Sequence, residues 1–289
     1  MNITKSLYLL TGTMLAFSVA GIAQTSLHKL SLTKGQKLQI DNTVNSLITQ
    51  EMMGQTMEIK ADASTQHQVE VKDTKDASYL LSATFTKLKT NTSMMGQDMS
   101  FDSDKKDDME GDQGKMFKDQ LNVAKDVELT HYNKVINAPK KEDKKDEPAG
   151  GMMDMMKGLT GGEADESNGA SAAFEVIPAD AKAGSSWQDS SITAEVKTYR
   201  TYTVKEIKGN DAILSLSGKQ SIKKTIEQNG MEITVNTDAK ISGEETVDIS
   251  TGIIKQKKVV MDSAGNASVM GQEVPLTTVT TTVTTVKSL

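Results

Sequence analysis

The sequence predicts a mainly β protein: two related, curved antiparallel β-sheet domains, the first with one short helix, joined by a flexible linker. Three observations carry this prediction. Apolar and polar residues alternate with period two over long stretches, as in Val69 and Val71 against Glu70 and Lys72, Tyr202 and Val204 against Thr203 and Lys205, and Ile233 and Val235 against Thr234 and Asn236. The hexapeptide Met-Met-Gly-Gln-x-Met occurs at Met52 to Met57 and again at Met94 to Met99, and its core returns as Met270-Gly271-Gln272. Each copy sits between alternating segments, where a Gly-centred dipeptide reverses an antiparallel strand. Finally, composition changes at Pro139: a Lys/Glu/Asp run, Pro148, Gly-Gly pairs and a Ser/Asn/Ala stretch follow up to Ala172. Such a segment has too little branched apolar surface to offset its ordering entropy, and reads as a linker.

The halves on either side resemble each other. Val71 to Ser82 aligns without a gap on Val204 to Ser215, and Lys34-Gly35 and Ala183-Gly184 each precede a strand start. Two copies of one β-rich unit explain this order. Phe117, Leu121 and Ala124, spaced i, i+4, i+7, make one apolar stripe and predict a helix over Met116 to Ala124. A hairpin is expected over Val127 to Ile136, turning near Tyr132-Asn133. The Thr/Val run from Leu276 to Val286 favours a pleated surface.

Residues 1–23 read as a signal peptide: a positive start through Lys5, an uncharged apolar run from Leu7 to Ala20, and small residues at Gly21 and Ala23. The apolar run is shorter than the roughly 20 residues that cross a bilayer. Cleavage after Ala23 would leave a periplasmic or secreted protein that does not span the membrane, with domains at 24–138 and 173–289 and the linker at 139–172. With no cysteine among 289 residues, disulfides and thiolate metal sites are excluded, so packing alone holds the fold. A net charge of −6 opposes nucleic-acid binding, and 4% aromatics argues against base-stacking platforms and barrel girdles.

The arrangement resembles an uncharacterised family of exported, β-rich bacterial envelope proteins. The residues carrying the resemblance are Ala23-Gln24, Lys34-Gly35, the Met-Met-Gly-Gln hairpins, Phe101-Asp102-Ser103-Asp104, and Ala183-Gly184-Ser185-Ser186-Trp187. It implies envelope location and a β-rich fold, and supplies no activity.

No catalytic constellation stands out. His28, His67 and His131 are scattered, and neither a Gly-x-Ser-x-Gly elbow nor a phosphate loop is present. The expectation is a non-enzymatic binding protein without a cofactor, whose partner is a hydrophobic small molecule or an envelope protein. A curved sheet around a helix leaves an apolar concavity suited to a lipid-like ligand. Trp187 is the candidate ligand-stacking residue, with core anchoring as the alternative. The second reading is a Cu(I)-handling protein using thioethers, with Met53, Met57, Met95 and Met99 as candidate ligands. A hydrolase with an unrecognised site is the third. The acidic run Asp102 to Glu110 fails as an EF-hand, because Lys106 and Asp107 occupy ligand and turn-glycine positions.

Overall fold

The computed structural model describes residues 27–52, 54–137, 167–228, 231–269 and 271–289. The expected signal peptide and residues 139–166 of the expected linker lie outside them. Period-two alternation yields twelve strands: β1 (Lys37–Met52), β2 (Gln55–Thr74), β3 (Ser78–Met94), β4 (Gln97–Asp102), β5 (Ala124–Thr130), β6 (Val135–Asn137), β7 (Ser186–Ile192), β8 (Val196–Lys208), β9 (Asp211–Gln228), β10 (Met231–Asp248), β11 (Ile254–Val269) and β12 (Gln272–Ser288). All neighbours pair antiparallel in the order β6-β5-β3-β2-β1-β12-β11-β10-β9-β8-β7, and β4 pairs with the distal part of β3.

The halves expected as two sheet domains therefore share one sheet. β1 and β12 pair continuously from Leu38↔Ser288 to Gln50↔Leu276, fusing the N- and C-terminal strands. Fusion satisfies two strand edges that separate sheets would leave with unpaired N–H and C=O groups.

The internal repeat holds down to irregularities. A register shift at Val71/Asp73 in the β2–β3 ladder matches one at Val204/Glu206 in the β8–β9 ladder. Gly35 (φ 84°) donates its N–H to Val71 O at 2.8 Å, and Gly184 (φ 88°) donates to Val204 O at the same distance. β1-β2-β3 and β7-β8-β9 are thus equivalent, arranged in tandem along the sheet.

Two segments outside the sheet cover part of its inner face: residues 27–34, and residues 167–181 with a 3-10 turn at Ala170–Ala173. They pair with each other, His28 N–H donating to Ile177 O at 2.8 Å. Leu30, Leu32, Phe174 and Ile177 pack there against Leu38, Val69, Leu81, Val204, Leu214 and Ile254. The end of the expected linker, Ser167 to Ala172, is therefore part of the core cover; Ser167 and Ala170 are fully buried. Small residues fit where the chain passes under the sheet, and Gly169 (φ 89°) sits where a Cβ would strike the His67 ring.

This cover also reports curvature. Leu30 N–H reaches His131 O in the β5–β6 turn, while the next residue, Ser31, donates to Thr251 O in the β10–β11 turn. Asn133 Nδ2 donates to Phe174 O at 2.9 Å, and Glu175 N–H donates to Gly252 O at 2.9 Å. Consecutive residues thus touch turns that a flat sheet would hold six strands apart, roughly 29 Å at the usual strand spacing. The sheet is curled but unclosed, with β4 and β6 at one edge and β7 at the other.

The helix expected over Met116 to Ala124 lies earlier, as α1 (Lys106–Glu110) and α2 (Asp112–Phe117). Phe117 and Leu121 do share one buried cluster with Leu88 and Phe101. The helix stops short because Asn122 adopts φ 60° and donates its N–H to Phe85 O, which turns Ala124 into β5. The β5–β6 hairpin turns at Asn133 (φ 57°), where the sequence places it.

The glycine-centred motif is a turn device. Met95 (φ 53°) and Gly96 (φ 78°) form a two-residue reversal with both central residues left-handed, and Gly54 and Gly271 have φ 76° and 81°. Gly96→Val is expected to lower the stability of the protein by more than about 1 kcal/mol, while Met94→Leu stays near neutral; chemical denaturation measures both. A second expectation concerns the cover. Tyr79 Oη donates to Leu30 O at 2.7 Å and accepts from Leu32 N–H at 3.3 Å. Tyr79→Phe should cost about 1–2 kcal/mol, with the largest gain in hydrogen exchange at Leu32.

Candidate functional site

Pairing register assigns every strand residue to a face. The inner face carries even residues of β1, β9 and β12 and odd residues of β2, β10 and β11. Beyond the cover, inner rows continue with Val44, Ile59, Ala61, Ala63, Ala239 and Ile241, which are buried, and with Val259, Met261 and Val235, which are half-buried. The outer positions of the same strands are mostly charged or hydroxylic, such as Glu58, Lys60, Asp62, Lys240, Lys258 and Asp262, with Leu47 and Val279 as an exposed apolar pair. Val44, Ala61, Ala63 and Ala239 are buried yet belong to neither of the two core clusters. The result is an apolar trough with small side chains on its floor.

Three inner-face glycines shape it. At Gly218, Gly243 and Gly265 a Cβ would strike the backbone of the neighbouring strand, at Tyr199 O, Lys258 O and Asn236 O respectively. Side-chain-free positions let long strands bend inward where a residue with a Cβ would hold them apart.

A charged cluster lies where the cover meets the trough. Glu245 on β10 and Lys257 on β11 face each other in register, with Lys257 Nζ 2.7 Å from Glu245 Oε2. Glu175 from the cover accepts a hydrogen bond from Lys257 Nζ at 3.3 Å. The Glu245 side chain is wholly buried, and its carboxylate has no aligned hydrogen-bond donor, so the 2.7 Å contact is an ion contact only. Burial pushes the Glu245 carboxyl up to about 7, against the opposing pull of Lys257. For Lys257, burial pulls the ammonium down, but Glu175 and Glu245 outweigh it and hold the pKa above the ordinary lysine range. Lys257 Nζ also sits 5.7 Å from the centre of the Tyr202 ring, whose phenol burial shifts upward.

Trp187 lies on edge strand β7, opposite Tyr202 and stacked on it with centroids 5.4 Å apart at 8°. It is half-buried and packs against the main core, at the margin between cover and trough. Met53 lies outside the described residues. Met57 is half-buried on the inner face of β2, Met95 stands exposed at the β3–β4 turn, and Met99 is exposed on β4. The acidic run is organised as a cap: Asp108 Oδ2 accepts from Asp102 N–H at 2.8 Å, and Lys89 and Lys87 pair with Asp102 and Asp104. Among the described residues no three His, Asp or Glu side chains are placed to hold a metal.

Sequence reasoning missed Glu245 and Lys257, although a signal exists. Glu244-Glu245 and Lys257-Lys258 are like-charged pairs within strands, and alternation forces one member of each pair inward.

The cluster gives a pH expectation. The folded protein holds the Glu245 proton more tightly than the unfolded chain, whose ordinary value is 4.5. Below that value both states are protonated. As pH rises from about 4.5 toward 7 the unfolded state ionises first, so stability falls across this window and levels off above it. Thermal melts from pH 4.5 to 8 should show this slope flattened in Glu245→Gln.

A solved structure described as lipid–protein interactions in lipovitellin is similar at 12% identity, over 89% of this chain and 25% of that one, with a TM-score of 0.50. This chain therefore spans a quarter of the lipovitellin chain, and the likeness is one of fold. An outer membrane channel from Pseudomonas putida F1 aligns over 90% of this chain and 98% of its own at 8% identity, but its TM-score of 0.23 establishes no shared fold. No curated protein matches the sequence. A family model does match residues 76–254, from the β2–β3 turn to the start of β11, and the chain belongs to that family, a family of unknown function (DUF6263).

Proposed function

We propose that this chain is an exported, non-enzymatic protein of the cell envelope that holds an apolar, lipid-like ligand against the inner face of its curled sheet. The observation carrying this reading is the trough itself. Its inner rows are mostly aliphatic or small, whereas the outer face of the same strands carries most of their charged residues. Covering the half-buried Val235, Val259 and Met261 with an acyl chain is favourable at roughly 25 cal/mol per Å² of apolar surface removed from water. Inner-face hydroxyls pair within the sheet, Ser46 with Thr280 at 2.9 Å and Thr284 with Asn42 at 2.7 Å, and a lining whose polar groups are spent in this way suits acyl chains better than a polar metabolite. The sheet shared with lipovitellin supports the same reading, since that structure is described for its lipid–protein interactions. Export rests on the sequence of residues 1–23.

Native mass spectrometry of protein from its own host, purified without detergent, tests the proposal. The expected result is a solvent-extractable apolar adduct on wild type. Ser263 lies on the inner face of β11 and Asp262 on the outer face. Ser263→Trp should fill the trough and lose most of the adduct, while Asp262→Trp keeps it. An adduct-free wild type, or bound Cu(I) in its place, overturns the ligand assignment. An N-terminus at Met1 instead of near Gln24 overturns export.

A further inference from the structure

We propose that the free edge of β7 is a strand-acceptor site, taking an extended, β-branched segment of another polypeptide in the place that β12 holds beside β1. The internal repeat carries this position by position. Val71 N–H donates to Gln36 O and Val204 N–H donates to Ser185 O, both at 2.9 Å. Lys37, Gln39, Asp41 and Thr43 therefore correspond to Ser186, Gln188, Ser190 and Ile192. On β1 the first set faces β12: Lys37 O accepts from Leu289 N–H at 3.0 Å, and Asp41 and Thr43 lie opposite Thr285 and Val283.

On β7 the second set has no such neighbour. Ser185 O bonds Val204, and Thr193 N–H donates to Val196 O at 2.8 Å, so alternation commits the odd residues of β7 to β8. The backbone N–H and C=O groups of Ser186, Gln188, Ser190 and Ile192 point the other way, where among the described residues no strand lies. Nothing guards this edge: β7 has no proline, lysine or register shift, and its one charge, Asp189, is 3.5 Å from Arg200. Ile192 is 59% exposed on one face and Trp187 half-buried on the other, each an apolar neighbour for an incoming side chain.

The opposite edge is the counterpart. β5 and β6 pair as Glu128↔Asn137 and Leu129↔Val135, and β10 and β11 as Thr246↔Gln256 and Val247↔Ile254, with the same one-residue shift. β6 thus corresponds to the start of β11, the strand that flanks β12 on its other side. The path across the sheet has eleven strands, and the turns that the cover ties together lie six apart, which is a half-turn around twelve places. The twelfth place lies between β6 and β7. One antiparallel strand there repeats what β12 does between β11 and β1, and satisfies the edge by β-augmentation. β12 also indicates the chemistry of the occupant, being only threonine and valine from Thr277 to Val286.

A synthetic peptide of residues 276–289 with a dansyl group at its C-terminus is the probe, and Trp187, the single tryptophan, is the energy-transfer donor. The full wild-type chain is expected to bind it saturably, with transfer from Trp187. Gln188→Pro, and separately Ser190→Pro, should each weaken binding by about tenfold or more at an unchanged thermal melt, because an edge N–H without a partner tolerates proline. The β12 register sets peptide residue 285 opposite Ser190, so a Thr285→Pro peptide should bind wild type about tenfold more weakly, with no variant protein needed. Absence of saturable binding by wild type overturns the proposal, as does equal binding of the Thr285→Pro peptide. Equal binding by the two proline variants, the result of exchange with the chain's own β12, overturns it too. So does a dimer of the chain alone that Gln188→Pro dissolves, since the occupant is then a second copy.

Discussion

The fold depends on a double tie between two turns. Leu30 and Ser31 reach His131 and Thr251, and Phe174 and Glu175 reach Asn133 and Gly252, so each cover segment bridges the β5–β6 and β10–β11 turns with consecutive residues. Backbone groups that leave the sheet need partners, and here they find them only if the sheet curls. Curling turns one face of a long antiparallel sheet into a concavity. The tie closes it at one end. Gly218, Gly243 and Gly265 permit the bend, because a Cβ at each would push neighbouring strands apart.

The same tie explains the charged cluster. Glu175 arrives with the cover beside Gly252, and meets Lys257 and Glu245 projecting from adjacent strands. Isolating Glu245 from water is costly, and a buried ion pair is weak evidence for stability. Its position makes it a joint between cover and sheet, the place where a change in protonation alters how firmly the two are held. Trp187 and Tyr202 shield one side of that joint, and Asp189 with Arg200, 3.5 Å apart, forms its solvent margin.

Much of this architecture was legible. Alternation located the strands, and the aligned segments at Val71 and Val204 correspond even to their register shifts. The positive φ at Gly54 and Gly96 follows from what a two-residue hairpin demands. The fusion of the halves was hidden by β12, whose inner face carries Thr280 and Thr284 while Val279 points outward, 44% exposed. Threonine and valine are nearly isosteric, so that pattern does not announce which face is buried or that a partner strand lies on each side. Ser167 to Ala172 read as linker because small residues carry little hydrophobic signal, yet small size is what lets them pass beneath His67 and Ala83. The trough was expected as a concavity around a helix. The helices instead seal the β3–β4 corner through Phe101 and Phe117, and curvature alone makes the concavity.

The methionines of the motif occupy two kinds of position. Strand register sets Met57, Met94 and Met99 on the inner face of neighbouring strands, and the turn leaves Met95 apart from them. Met94 pairs with Gln97, and Met99 with Thr92, two steps further from the turn on the same face. Met95 sits at the apex between them with a left-handed backbone. The β3–β4 copy of Met-Met-Gly-Gln-x-Met therefore places apolar atoms both on the inner face and at the outermost point of its hairpin.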